Sequence, residues 1–146
     1  MSALEEAQQR CFVDTNIWLY AFIETGNKRK RTIAKSIIQK SDVVVSTQVV
    51  NEVCVNMIKK AALPETAIQS LINAFYYKYT VESLDKTTLL KASELRSRHS
   101  LSYWDSLIVA NALNADCAIL YSEDMQNGLQ IAQRLKIANP FQQERV

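Results

Sequence analysis

Glycine and proline are scarce in this chain, two of each in 146 residues. That scarcity excludes a collagenous, linker-rich or low-complexity polypeptide. Cysteine is sparse as well, and its odd count (Cys11, Cys54 and Cys117) has neither the spacing of a zinc site nor that of a disulfide framework. These thiols fall on apolar positions and read as packed and reduced. No apolar run approaches the roughly 20 residues that a membrane-spanning helix needs. The first ten residues, MSALEEAQQR, hold two glutamates and no apolar stretch of the kind a secretory signal requires. Residues 1–10 therefore read as a polar leader, and the expectation is a cytoplasmic protein without a membrane role. Neither sign of charge dominates. Lys and Arg number 17 against 15 Asp and Glu, a net +2 that is too mild to declare a nucleic-acid binder.

With 48% hydrophobic and 22% charged residues, the composition is that of a globular protein. The length suits one core, so residues 1–146 read as a single domain. Apolar periodicity divides the chain into alternating strands and helices. Cys11-Phe12-Val13 is a short strand ending at Asp14, and Ile17 to Phe22 begins a buried helix that breaks at Gly26. Ile33, Ala34, Ile37 and Ile38 lie at helical spacing between Arg31 and Lys40. Val43-Val44-Val45 is a second strand, after which Ser46 or Thr47 can cap a helix starting at Gln48. Another helix follows Pro64-Glu65, Lys78 to Val81 reads as strand, and Asp85 caps a helix from Lys86 to about Arg98. Ser102, with Asp105 three residues on, opens the next helix. Cys117 to Tyr121 is a fourth strand, and a short helix or strand pair runs to Phe141. Apolar strands alternating with helices indicate an α/β fold of three layers, α/β/α, whose central sheet is mostly parallel and covered on both faces. Function in such sheets lies at the carboxyl ends of the strands.

Four acids stand out by position. Asp14 ends strand one, Asp124 lies just past strand four, Glu52 is about a turn and a half into the helix after strand two, and Asp105 is in a first helical turn. Each alone has a plain reading. Asp14 could be only a cap, Asp105 a dipole-favoured acid, Asp124 a turn residue, and Glu52 a solvated rim position. Jointly they can converge on one sheet edge, where an oxygen-only cluster suits a hard divalent cation. Basic residues are clumped at Lys28, Arg29, Lys30 and Arg31, at Lys59 and Lys60, and at Arg96, Arg98 and His99. Such runs ordinarily face solvent. Trp104, directly before Asp105, reads as core, with stacking on a base as the other reading.

The stretches Phe12-Val13-Asp14-Thr15-Asn16, Asn51-Glu52-Val53, Tyr103-Trp104-Asp105-Ser106-Leu107-Ile108-Val109-Ala110 and Ile119-Leu120-Tyr121-Ser122-Glu123-Asp124 resemble the PIN-domain ribonucleases. They are most similar to the toxins of VapBC-type toxin–antitoxin pairs. The likeness runs from about Cys11 to Phe141 in the family's order. It implies a PIN-like fold and a Mg²⁺- or Mn²⁺-dependent endoribonuclease that hydrolyses RNA with metal-activated water. Asp14, Glu52, Asp105 and Asp124 would form its acidic quartet, with Asp14 and Asp105 on the metal. The resemblance further implies that Ser122 occupies the family's Thr/Ser position and that Asn16 braces the first Asp. Glu123 is a spare acid. Lys28 to Arg31 become candidate RNA phosphate contacts, and the implied partners are RNA, a cognate antitoxin and a second copy of the chain. The only histidine, His99, lies in a basic turn, so imidazole chemistry does not compete. Two other readings exist. A haloacid-dehalogenase-like phosphohydrolase wants an Asp where Asn16 stands, and a non-catalytic interaction module would have no reason to keep four mutually repelling acids.

Overall fold

The computed structural model describes residues 9–24, 26–40 and 42–142. Residues 1–8 of the expected leader lie outside the described residues, and its last residue, Arg10, already belongs to the first strand. Strand β1 (Arg10–Val13) leads into helices α1 (Thr15–Phe22) and α2 (Lys28–Lys40). Strand β2 (Asp42–Ser46) precedes α3 (Thr47–Ala61) and α4 (Glu65–Lys78). Strand β3 (Thr80–Glu82) precedes α5 (Lys86–Arg98) and α6 (Tyr103–Asn114). Strands β4 (Ile119–Tyr121), β5 (Gln130–Ile131) and β6 (Leu135–Ala138) follow.

These strands form one six-stranded sheet in the order β3-β2-β1-β4-β6-β5. Neighbours are parallel except β5 with β6, which are antiparallel. Successive residues of a strand face opposite sides of a sheet. Cys11, Phe12 and Val13 of β1 and Val43, Val44 and Val45 of β2 are nevertheless all buried. Both faces of the central strands are therefore covered, as their unbroken apolar sequence requires.

Local chemistry sets most boundaries. Ser46, rather than Thr47, caps α3, its Oγ accepting from Val49 N at 3.3 Å. Asp85 caps α5 by accepting from Thr88 N at 2.9 Å, and Ser102 caps α6 by accepting from Asp105 N at 3.1 Å. Both glycines, Gly26 and Gly128, hold left-handed backbone, at φ +84° and +88°, where a side chain would be strained. Two expectations are corrected. Lys78 and Tyr79 are not strand: α4 runs through Lys78, and Tyr79 closes it by donating its N–H to Phe75 O. The aromatic packing explains this, since Phe75 and Tyr79, four residues apart on one helical face, both pack against Trp18, at 4.9 and 5.1 Å between ring centroids. Likewise Cys117 and Ala118 precede β4 instead of opening it. Of the two alternatives for the end of the chain, the strand pair is present.

Trp18 joins the layers. It is fully buried, and its indole N–H donates to Val13 O at 3.0 Å, tying α1 and α4 to β1. Trp18→Ala takes the central ring out of this cluster and removes the hydrogen bond to Val13 O, so the expected loss of stability is about 3–5 kcal/mol. Urea denaturation measures it, and a loss below about 1 kcal/mol would contradict the packing described.

Candidate active site at the carboxyl edge of the sheet

In the parallel pairing of β1 with β4, Val13 stands opposite Tyr121. The residues that follow, Asp14 and Ser122, are consequently neighbours. Asp14 N donates to Tyr121 O at 3.0 Å, and the buried Ser122 hydroxyl donates to Asp14 Oδ2 at 2.9 Å. Asp14 Oδ1 accepts from Thr15 N at 2.7 Å, so the same carboxylate also caps α1. On the other side of β1, β2 delivers α3 and with it Glu52. Glu52 Oε2 accepts from the Thr15 hydroxyl at 2.6 Å and Oε1 from Gln48 Nε2 at 3.3 Å.

Asp105 arrives by a different route. Helices α5 and α6 lie antiparallel: Arg96 near the end of α5 donates to Ser106 at the start of α6 (2.7 Å), and Asn114 at the end of α6 donates to Thr88 near the start of α5 (3.0 Å). This hairpin presents the first turn of α6, and Asp105 with it, to the same edge. Asp14, Glu52, Asp105 and Asp124 all line one cleft of about 250 Å³. The four acids singled out in the sequence are brought together.

Asn16 does not brace the first Asp. Its amide donates to Asp124 Oδ2 at 2.6 Å, because one step further along α1 the side chain has turned from Asp14 toward the loop after β4. Trp104 is not core but 61% exposed on the cleft rim. Thr15, Gln48 and Asn56 (whose amide donates to Glu52 O at 2.8 Å) have no site role in the sequence pattern alone. The i, i+4 spacing of Gln48 to Glu52 and of Glu52 to Asn56 was the available signal. Glu123 faces away, accepting from the Tyr20 hydroxyl at 2.8 Å and pairing with Lys30. Within the basic run, Arg29 donates to Phe141 O at 2.7 Å and Lys30 is held by Glu123 and Tyr20, whereas Lys28 is exposed. His99 closes α5, donating its backbone N–H to Leu95 O at 2.8 Å. The three cysteines are buried, and burial pushes the Cys117 thiol up to about 12.

Crowding marks the carboxylates. Burial pushes Asp14 up to about 6, and the charges of Glu52 and Asp105 add to it, against hydrogen bonds from Thr15 and Ser122 that pull it down. Asp105 is also raised, by burial first and then by Asp124 and Glu52. Among the described residues no three acidic, His or Cys side chains already form a metal cage. Three of the four carboxylates are drawn toward separate neutral donors. The oxygen-only donors and their mutual repulsion nevertheless fit a hard divalent cation, which commonly rests on one or two carboxylates and keeps several waters.

Comparison with known proteins agrees with this fold. A family model described as the PIN domain matches residues 11–127. Among solved structures the chain is similar to the Mycobacterium tuberculosis toxin VapC20, described as cleaving the sarcin-ricin loop, with 19% identity over 78% of this chain and 89% of that one and a TM-score of 0.63. It is also similar to a toxin–antitoxin complex from Klebsiella pneumoniae (19% identity, 90% and 98% covered, TM-score 0.67). VapBC2 from Rickettsia felis, bound to a fragment of promoter DNA, is a third (17%, 89% and 99%, 0.60). At these identities the likeness shows a shared fold. No curated protein matches the sequence.

The raised Asp14 pKa has a consequence for stability. The folded protein binds this proton more tightly than the unfolded chain does, so the advantage is complete below about pH 4 and is lost as pH rises through about 6. Above that, ionised Asp14 is a net burden. In chelator, Asp14→Asn is expected to be more stable than the parent at pH 7 by about 1–2 kcal/mol, and by nothing at pH 4. Urea midpoints at the two pH values measure this, and an equal difference at both would refute it.

Proposed function

The chain belongs to the PIN-domain family, and we propose that it is a divalent-metal-dependent endoribonuclease, the toxin of a toxin–antitoxin pair, working in the cytoplasm as a homodimer. The observation that carries this reading is the convergence of Asp14, Glu52, Asp105 and Asp124 on one cleft. Asp14 and Asp105, whose pKa values their surroundings raise, would hold Mg²⁺ or Mn²⁺. When bound, such an ion polarises the scissile phosphate, makes water more acidic and steadies the departing oxygen.

The chain's own residues orient and deprotonate. Ser122 and Thr15 N fix both oxygens of Asp14. The Thr15 hydroxyl and Gln48 hold Glu52, and Asn16 holds Asp124 by Oδ2. Asp124 Oδ1 and Glu52 are then the groups to receive the proton of the attacking water. Lys28 and Arg31 are assigned to the RNA phosphates, since Arg29 and Lys30 hold internal partners. Such contacts supply affinity and salt dependence without base choice. A cation carried into the cleft by an antitoxin would compete with the metal for the same carboxylates. The solved neighbours that are toxin–antitoxin complexes support that part of the reading.

Purified protein incubated with total RNA should give discrete cuts with Mn²⁺ or Mg²⁺ and none with chelator, and Asp14→Asn should fall to background. Thr15→Val, which removes the nearer of the two donors to Glu52, is expected to lose about ten- to a hundredfold in rate while remaining folded. Mn²⁺ should also raise the melting temperature of the parent but not of Asp14→Asn. Absence of cutting by folded, partner-free protein with every metal tried would turn the assignment toward a binding module on the same fold.

A further inference from the structure

Next to the acidic cleft is a second hollow of about 350 Å³, lined by Thr47, Gln48, Asn51, Glu52, Leu84 and Trp104. Gln48, Glu52 and Trp104 line both spaces, so a polymer lying along the cleft reaches the hollow over continuous surface. Its chemistry is not that of a phosphate site: no lining residue is cationic, and the Glu52 carboxylate repels anions. With Glu52 its only acid, it is not a metal site either. It offers a broad indole, 61% exposed, the half-open side chain of Leu84, and two carboxamides. One of these is incompletely satisfied. Gln48 Nε2 donates to Glu52, whereas Gln48 Oε1 is shut off from solvent with no hydrogen-bond partner among the described residues. A buried acceptor without a donor is costly, and turning the Gln48 carboxamide outward to meet a ligand N–H in the hollow relieves that cost.

We propose that this hollow seats one base of the RNA, stacked on the Trp104 indole, with its edge donating to Gln48 Oε1 and meeting the Asn51 amide. An uncharged, flat group with edge donors fits beside a carboxylate where the sugar–phosphate chain does not. Aromatic faces bind bases with little selectivity, so discrimination falls to the carboxamides. They favour a base with an exocyclic amine (adenine, cytosine or guanine) over uracil, which has none. The seat would thereby choose which nucleotide lies beside the scissile bond. This rests on the ribonuclease reading for the position of the RNA, and the experiment separates the two.

The chain has two tryptophans, of which Trp18 is fully buried, so quenching of emission reports on Trp104. In the Asp14→Asn background, at low salt with Mn²⁺, hexaadenylate and hexacytidylate should quench more strongly than hexauridylate. Anisotropy of labelled hexamers should show about tenfold weaker binding when Trp104→Ala is added, with binding restored by Trp104→Phe. In parallel, cut ends in total RNA are mapped for the parent, Trp104→Ala and Asn51→Ala, and the preference at the seated position should relax in both variants. No quenching, or undiminished binding by Trp104→Ala, overturns the seat whether or not RNA is cut. Cutting by Trp104→Ala at the parent's sites with the parent's KM also overturns it and leaves the ribonuclease standing. Quenching by hexamers without cutting under any metal refutes the ribonuclease and retains the seat.

Discussion

The parallel pairing of β1 with β4 is the constraint from which the site follows. With Val13 opposite Tyr121, the chain leaves both strands at the same level, and Asp14 meets Ser122 because each is the next residue. Ser122 has a second duty, its Oγ accepting from Met125 N at 3.3 Å and so shaping the turn that carries Asp124. Pairing of β1 with β2 on the other side sets α1 and α3 side by side, which is why Thr15 reaches Glu52. A slip of one residue in either pairing would turn every strand side chain to the opposite face.

Gathering four carboxylates works against folding. The fold answers with neutral donors: a hydroxyl on Asp14, another on Glu52 and an amide on Asp124. These orient the groups without cancelling their charge, so burial first and mutual repulsion after it keep the pKa of Asp14 and of Asp105 raised. A protein selected only for stability would have replaced one of them.

The two acids after Ser122 have separate fates. Glu123 is balanced by Lys30, and Asp124 is left to the cleft. The same Lys30 lies over the Phe141 ring, which packs edge-on against Tyr20, while Arg29 holds the Phe141 carbonyl. Part of the basic run therefore straps the segment after β6 to α1 and α2, and neutralises the one acid whose charge would add to the crowd.

Alternation of strands and helices, the caps at Asp85 and Ser102 and the strand-end positions of Asp14 and Asp124 were all legible in the sequence. Each depends on side-chain period or on hydrogen bonds spanning three residues, which chain order contains directly. The chemistry of a four-acid cluster could be anticipated for the same reason, because acids at strand ends and at starts of helices have few other places to converge. Tertiary structure alone decided that Asn16 serves Asp124 and not Asp14, that Thr15 holds Glu52, that Trp104 stands open on the rim, and that the hairpin of α5 and α6 returns Asp105 to the cleft. Asn16 and Asp124 are 108 residues apart, and nothing in the order of a chain states which distant side chains come within 3 Å of each other. Packing decides that, since it fixes how far each helix is rotated and at what height along the sheet it begins.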